Sequence, residues 1–366
     1  MRIIELFAGI GACSTALKRN GIDLEIVDAV EIDKYAIASF NAIHGTNFET
    51  QDITMWDKDF KDIDIITHGS PCQDFSIAGK QAGGDKGSKT KSSLLYETIR
   101  IVKQNKPKYV LWENVKNLLS KKHKHNFFNY INILDEIGYN SYYQVLNAKD
   151  YGIPQNRERI FTISIRKDID KGNFKFPQKE ELKLRLKDIL EDAPDEKYYI
   201  NDGTLNSILS DNQAGFLSGG KWDKINESCR RYYKEDGISP TIHTCQGGNT
   251  EPKIAIKNAT RKGYDEAVEG DSINLAYPNS KTRRGRVGKQ VSQTLQCNEN
   301  MGVVTPEMII RKLTPKECWR LMGFSDEDFE KTANIPTSNT QLYKQAGNSI
   351  VVNVLEKIFA NLFKED

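Results

Sequence analysis

No two of the six cysteines stand in a C-x-x-C pair, which argues against a zinc site or a thioredoxin-like redox motif. No apolar run approaches the roughly 18 residues needed to span a bilayer. No leader is legible, because Met1-Arg2 runs straight into the strand-like Ile3-Ile4-Glu5-Leu6-Phe7. A soluble, cytoplasmic chain with reduced thiols is the expectation. Charge of one sign is also missing: 52 Lys+Arg face 50 Asp+Glu, a formal net charge of +2. That balance does not advertise nucleic acid as a partner, although a local basic cleft would suffice to bind it. What is there, 38% hydrophobic and 28% charged residues over 366 positions, supports a real core in one large or two modest domains.

Up to about residue 165, strand-like and helix-like segments alternate. Arg2–Phe7, Leu24–Val30, Ile63–Thr67, Tyr109–Trp112, Tyr142–Asn147 and Arg159–Ile165 read as strands. Ser14–Arg19, Lys34–His44, Ser93–Gln104 and Asn126–Ile137 read as helices between them. This alternation predicts an α/β fold with a doubly wound, mostly parallel sheet. From about residue 176 apolar runs shorten and Ser, Asn, Gly and Thr multiply, so a second, smaller, irregular β-rich domain is expected. Ser239–Cys245 and Ser292–Cys297 echo each other, as two similar hairpins or by chance. Order returns at Thr314-Pro315-Lys316-Glu317, a capping box with proline at the first helical position. A last helix within Ser349–Phe363 puts Val351, Leu355, Ile358, Phe359 and Leu362 on one face, suited to covering the sheet.

Four clusters carry chemistry. Phe7-Ala8-Gly9-Ile10-Gly11 follows the first strand and opens a helix, and Glu31 ends the second strand 20 residues beyond Gly11. Ser14 stands where a third glycine would be. The cluster is either an ordinary strand–helix turn or the cradle of an adenosine-containing cofactor, with Glu31 accepting the ribose hydroxyls. Asp52, before Ile53, is read as the end of a third strand and as acceptor for the adenine amino group. Cys72 follows the strand Ile63–Thr67. A lone cysteine is commonly a small buried apolar residue, yet this one lies past a strand's carboxyl end, where open α/β sheets bind ligands. Gly79–Ser92 behind it is a surface loop or a mobile cationic lid. Glu113, ending another apolar strand, must be salt-bridged or catalytic. Alternation sends Arg157 and Arg159 to one face, toward anions or toward Glu113.

The order Phe7-Ala8-Gly9-x-Gly11, Pro71-Cys72-Gln73, Glu113-Asn114-Val115, Gln155-x-Arg157-x-Arg159 and Gln345-Ala346-Gly347-Asn348-Ser349 resembles the cytosine-5 DNA methyltransferase family of bacteria and phages. Leu313–Phe324 is similar to that family's penultimate block. The resemblance implies a Rossmann-like methyltransferase whose catalytic residues are Cys72, the nucleophile, Glu113 at the cytosine ring nitrogen, Arg159 at the base's carbonyl oxygen, and Arg157. Phe7, Gly9, Gly11, Glu31, Asp52, Pro71, Leu94 and Asn348 would line the S-adenosylmethionine pocket, with Ile32 and Ile53 on the adenine and no metal. A catalytic domain of 1–175, completed by 340–366, and a target-recognition domain of 176–339 are implied. Thr241-Ile242 and Thr294-Leu295 resemble a Thr-Leu element found in the latter. Implied partners are double-stranded DNA and, without direct contact, a cognate restriction endonuclease; the protein would be a monomer with no membrane association. Ser70 departs from the family's usual proline before Pro71, and Ile32 from a common aromatic.

Three other readings compete. A nicotinamide-dependent oxidoreductase would share the Gly-x-Gly turn without needing Pro71-Cys72 or Gln155–Arg159. A tRNA-methylating relative shares the active-site blocks, and the long middle region favours DNA over it. A non-catalytic DNA-binding module is disfavoured because every reacting group is present. Within the middle region, Lys281–Lys289 packs five positive charges into nine residues with no acidic partner. Gly285 and Gly288 would let its backbone press into a groove, and arginine's fork suits guanine edges. At least one of Arg283, Arg284 and Arg286 is therefore expected to read a base, with Lys281 and Lys289 on phosphates; a solvated loop and a pure phosphate clamp are the alternatives. Gln73, Ser76 and Lys80 beside Cys72 complete the expected DNA contacts.

Overall fold

The computed structural model describes residues 1–71, 90–199, 254–277, 280–298, 300–305, 310–333 and 335–364. Its main sheet has six strands: β1 (Arg2–Leu6), β2 (Glu25–Val30), β3 (Ile65–His68), β4 (Tyr109–Val115), β5 (Tyr139–Asn147) and β7 (Glu158–Arg166), in the order β2-β1-β3-β4-β7-β5. The first four run parallel; β7 is antiparallel to both β4 and β5. Helices α1 (Ala12–Arg19), α2 (Lys34–His44), α3 (Leu95–Asn105) and α4 (Lys124–Glu136) connect them.

Adjacent apolar residues on each strand point to opposite faces, so both faces must be covered. Ile3, Ile65 and Leu111 belong to one apolar cluster, with Ala16 and Leu17 of α1. Ile4, Ile66, Val110 and Trp112 belong to a second cluster, with Leu95 and Ile99 of α3 and Phe127 and Tyr130 of α4. The doubly wound architecture expected from the sequence is what these two layers make.

Four C-terminal helices follow: α5 (Pro315–Leu321), α6 (Asp326–Ala333), α7 (Asn339–Asn348) and α8 (Val352–Leu362). The capping box forms, Thr314 accepting from the Glu317 N–H while Glu317 accepts from the Thr314 N–H at 2.8 Å. Val354, Leu355, Ile358 and Phe359 of α8 are buried in the same cluster as Ile3 and Leu111, as the helical face predicts.

A smaller antiparallel sheet, in the order β11-β10-β13-β14, comprises β10 (Ser272–Asn274), β11 (Val287–Gly288), β13 (Met301–Val304) and β14 (Ile310–Lys312). Beside it lies the hairpin β8 (Ile254–Lys257) and β9 (Tyr264–Ala267). Ile256, Ala267, Ile273, Leu275, Val304 and Ile310 form its own small core. Met301 and Val303, on the other face of β13, enter the main cluster and join the two bodies. A second join is the parallel pairing of β12 (Ser292–Gln293) with β6 (Gln155–Asn156). The division between the two cores does not coincide with residues 176 and 339. Phe176, Leu186, Ile189, Leu313, Trp319, Met322 and Phe324 all pack in the main cluster, because the apolar face of α5 finds its partner there. Thr241-Ile242 and Ser239–Cys245 lie outside the described residues. Among the described residues, no helix is long and apolar enough to cross a membrane.

Candidate active site

Three residues in five after β1 have positive φ: Phe7 at 53°, Gly9 at 55° and Gly11 at 83°. Gly11 is required sterically, since a Cβ there would lie 2.1 Å from His44 Nε2 and 2.9 Å from Phe40 Cε2. At Gly9 a Cβ would meet nothing within 4 Å, so this backbone borders open space that a ligand can enter. Glu31 ties the turn to the end of β2: its Oε2 accepts the Gly9 N–H at 2.9 Å and its Oε1 the Asp33 N–H at 2.8 Å. Burial raises the Glu31 pKa, and these two bonds oppose the shift. Beneath the turn lies buried Glu5, which accepts the Ser14 N–H at 2.9 Å and the Ser14 hydroxyl. The residue in place of a third glycine is thus a hydrogen-bond donor to a core carboxyl group.

Ile32 is 70% exposed beside this turn. Asp52 is not at a strand end. Residues 49–53 form a loop joined to β2 through the Gln51 N–H to the Glu31 carbonyl at 2.8 Å, and Asp52 Oδ1 accepts from the Thr54 N–H and hydroxyl. Asp52 nevertheless lies in the loop that crosses the end of β2. Ile53 is buried in the second cluster, and Leu94, closing the turn before α3, packs against that cluster half-buried. Asn348, at the end of α7, is exposed and accepts from Cys297 Sγ at 2.9 Å. Lys344 Nζ to Asp33 Oδ2 and Gln345 Nε2 to the Tyr35 carbonyl, at 3.0 Å, hold α7 against the start of α2. Sequence reading missed Lys344, which directly precedes the Gln345–Ser349 motif, and gave Gln345 no task of its own.

Parallel pairing places the carboxyl ends of β3 and β4 side by side, with His68 opposite Trp112. Glu113 is buried, and its Oε1 lies 3.1 Å from Arg159 Nε. Burial raises its pKa, with Arg159 and then Arg157 opposing. Arg157 and Arg159 both line a cavity with Glu113, Leu146, Ala148, Phe161, Val351 and Val354. Their tasks differ. Arg157, 4% exposed, donates to the carbonyls of Leu295 (3.3 Å), Gly347 (3.1 Å) and Ser349 (2.8 Å), reaching two remote segments.

The chain leaving β3 runs past this carboxylate: a Cβ at Gly69 would sit 3.7 Å from Glu113 Oε2. Ser70 then accounts for its own departure from proline. Its Oγ accepts the buried Trp112 indole N–H at 3.1 Å, and its carbonyl accepts from Asn114 Nδ2 at 3.1 Å. Burial holds His68 neutral, its pKa pulled down to about 3, with its ring stacked on Trp112 and Nε2 2.9 Å from the Tyr130 hydroxyl. Pro71 is half-buried. Cys72, Gln73, Ser76 and Lys80 lie outside the described residues.

In the basic segment, two expectations fail. Arg286 is not a free reader: it is 1% exposed and donates to the carbonyls of Asn274, Ala276 and Tyr277. The segment also has an acidic partner after all, because buried Asp271 accepts from Lys289 Nζ at 2.8 Å. Lys281 and Arg284 are exposed, Arg284 Nε donating to the Ala259 carbonyl at 3.2 Å. Arg283 is half-buried with its guanidinium over the Tyr277 ring. Tyr277 itself carried no signal in the sequence.

This arrangement presents a glycine turn, an acidic strand end and a buried carboxylate–arginine pair along one edge of a doubly wound sheet. The family model for C-5 cytosine-specific DNA methylases matches residues 1–364. Orphan methyltransferase M.SPBetaI of Bacillus phage SPbeta is 34% identical, over 99% of this chain and 97% of its own length. Type II methyltransferase M.HhaI of Haemophilus parahaemolyticus is 32% identical, over 99% and 94%. The solved structure of S. pombe Dnmt2 methyltransferase shares the fold, with a TM-score of 0.59 at 20% identity over 100% of this chain and 98% of that one. The chain belongs to the C-5 cytosine-specific DNA methylase family and is a DNA (cytosine-5)-methyltransferase.

Proposed function

We propose that this enzyme methylates carbon 5 of a cytosine flipped out of a specific duplex sequence, through a covalent bond to Cys72. The observation that carries this reading is the buried Glu113–Arg159 pair beside Gly69, three residues before that cysteine. Carbon 5 of cytosine is too poor a nucleophile to take a methyl group unaided. The Cys72 thiolate adds to carbon 6, while Glu113 holds a proton at ring nitrogen 3 and Arg159 donates to the carbonyl oxygen on carbon 2. Carbon 5 becomes nucleophilic and takes the methyl group as the donor's carbon–sulfur bond breaks, its electron pair staying on sulfur to leave a neutral thioether. Loss of the carbon-5 proton to water then expels the thiolate by β-elimination. A raised Glu113 pKa favours the protonated carboxyl group this step needs.

S-adenosylmethionine, when bound, supplies the electrophilic methyl group. The open backbone at Gly9, the Glu31 carboxylate, exposed Ile32 and exposed Asn348 fit such a molecule, with Phe7, Gly11, Pro71, Leu94, Asp52 and Ile53 completing the pocket. Because a stacked cytosine cannot reach a cavity at a sheet edge, the base must leave the duplex, at a cost of a few kcal/mol in unstacking. The small sheet, with Lys281, Arg283 and Arg284, serves as the recognition domain, and the protein works as a monomer.

The test is the adduct. Wild-type protein incubated with S-adenosylmethionine and duplex DNA bearing 5-fluorocytosine should form a denaturation-resistant complex, since fluorine blocks the elimination. Peptide mapping should find it at Cys72, and Cys72→Ser should bind S-adenosylmethionine yet transfer nothing. An adduct at any other cysteine rules the mechanism out.

A further inference from the structure

The small domain commits a buried charge to a turn that holds no catalytic group. Arg286 donates to the carbonyls of Asn274 and Ala276 at 3.0 Å each and of Tyr277 at 2.7 Å. Asn274 Oδ1 adds a fourth bond, accepting the Ala276 N–H at 3.0 Å. Taking a guanidinium out of water is costly, and a turn needs no such device unless its shape matters. What the device holds is Tyr277. Its φ is 50°, a conformation that bulky residues occupy only under constraint, and its side chain is 75% exposed. A large ring held in solvent by a buried arginine breaks two folding rules at once, and among the described residues it meets a cation, Arg283, rather than the core.

The surroundings indicate what gains. The Arg283 guanidinium lies 5.8 Å from the Tyr277 ring centroid, and Lys281 and Arg284 are exposed on the same segment. Cations beside an exposed aromatic ring suit a polyanion whose bases offer flat faces. The turn is also anchored to the catalytic edge. Asn274 Nδ2 donates to Gln293 Oε1 at 3.0 Å, and Gln293 belongs to β12, which pairs with β6 immediately before Arg157 and Arg159.

We infer that Tyr277 is a base-contacting residue: its ring meets the bases of duplex DNA near the target cytosine and sets part of the sequence choice. Arg283 and Arg284 flank it on base edges or phosphates, and Arg286 is the positioning residue behind it. This rests on the methyl transfer to DNA proposed above and goes beyond it in naming a specificity residue.

Wild type, Tyr277→Phe, Tyr277→Ala and Tyr277→Gly should be assayed with S-adenosylmethionine on a pool of randomised duplexes, with methylated sites read by bisulfite sequencing. Glycine is the informative variant, because it removes the ring while relieving the positive φ and so spares the fold. Tyr277→Phe should keep the wild-type preference. Tyr277→Gly and Tyr277→Ala should relax it by about tenfold at one or two positions, with the melting temperature of the glycine variant unchanged or raised. An unchanged preference in Tyr277→Gly overturns the inference, and so does an equal loss of rate on every sequence. A wild type that methylates no duplex overturns the underlying reading instead.

Discussion

Arg157 and Arg286 sit in different bodies of the protein, one at the catalytic edge and one in the small sheet, yet they are built alike. Each is nearly sealed from solvent, each donates to three backbone carbonyls, and each stands near a second arginine with a side-chain partner of its own. Arg159 meets Glu113, and Arg283 lies over Tyr277. The difference lies in what the buried member joins. Arg157 ties together residues 295, 347 and 349 from remote parts of the chain, whereas Arg286 braces a turn within its own hairpin. In both places the guanidinium on which three carbonyls converge acts as scaffold, and its neighbour, which those carbonyls do not take up, meets a side chain instead.

The largest expected effect separates the carboxylate from both scaffolds. Glu113→Gln keeps the shape and removes the titratable proton, and should slow methyl transfer by about 10²–10⁴-fold without altering the melting temperature much. In wild type the same transfer rate should fall as pH rises through the elevated Glu113 pKa, because the proposed mechanism uses the protonated carboxyl group; a rate that climbs steadily instead argues against the assignment.

Alanine at each arginine should separate the two roles. Arg157→Ala leaves three buried carbonyls without their donor and should cost roughly 3 kcal/mol or more in urea unfolding. Arg159→Ala should cost far less stability and more activity. Equal stability losses would erase the distinction between scaffold and ligand partner. Arg286→Lys should fall between them, about 1–3 kcal/mol, since an ammonium group cannot span the three carbonyls that the planar fork reaches.

A smaller effect concerns Glu5, whose pKa burial pushes up to about 7 from 4.5. Its folded value is raised, so the stability it contributes is full below pH 4.5 and is lost as pH rises through about 7. Glu5→Gln should flatten that loss, gaining on the order of 1–3 kcal/mol at pH 8 relative to wild type. Chemical unfolding at several pH values checks this; parallel curves for the two proteins would refute it. Smallest of all, Lys281→Ala should weaken DNA binding to all sequences alike and flatten its logarithmic salt dependence by about one unit, measured by titration at several salt concentrations.

The main sheet was legible because its strands are apolar on both faces: Ile3 and Ile4, or Ile65 and Ile66, announce burial at consecutive positions. β5 was read short, from Tyr142 rather than Tyr139, since Asn140 and Ser141 on an edge strand break the apolar pattern. Asp52 was misplaced for the opposite reason, a loop read as a strand where no alternation supports one. The glycine turn, Glu31, Glu113 and the two arginines near it were readable as types at spacings. The inward turn of Arg286 was not, because a run of cations does not say which of them the backbone will surround. Nor could Ser70 be understood alone; its partner Trp112 is 42 residues away and meets it only across adjacent strands.

The two-residue pairing of β12 with β6 marks where this chain could be cut and spliced. Arg157 grips Leu295 on the catalytic side of that pairing, and the hairpin turn lies wholly on the other. A graft that replaces residues 254–288 while retaining Ser292–Leu295 would leave in place the Leu295, Gly347 and Ser349 carbonyls to which Arg157 donates. If the small sheet carries the proposed selectivity, such a graft should change the methylated sequence while the Glu113–Arg159 pair stays in place.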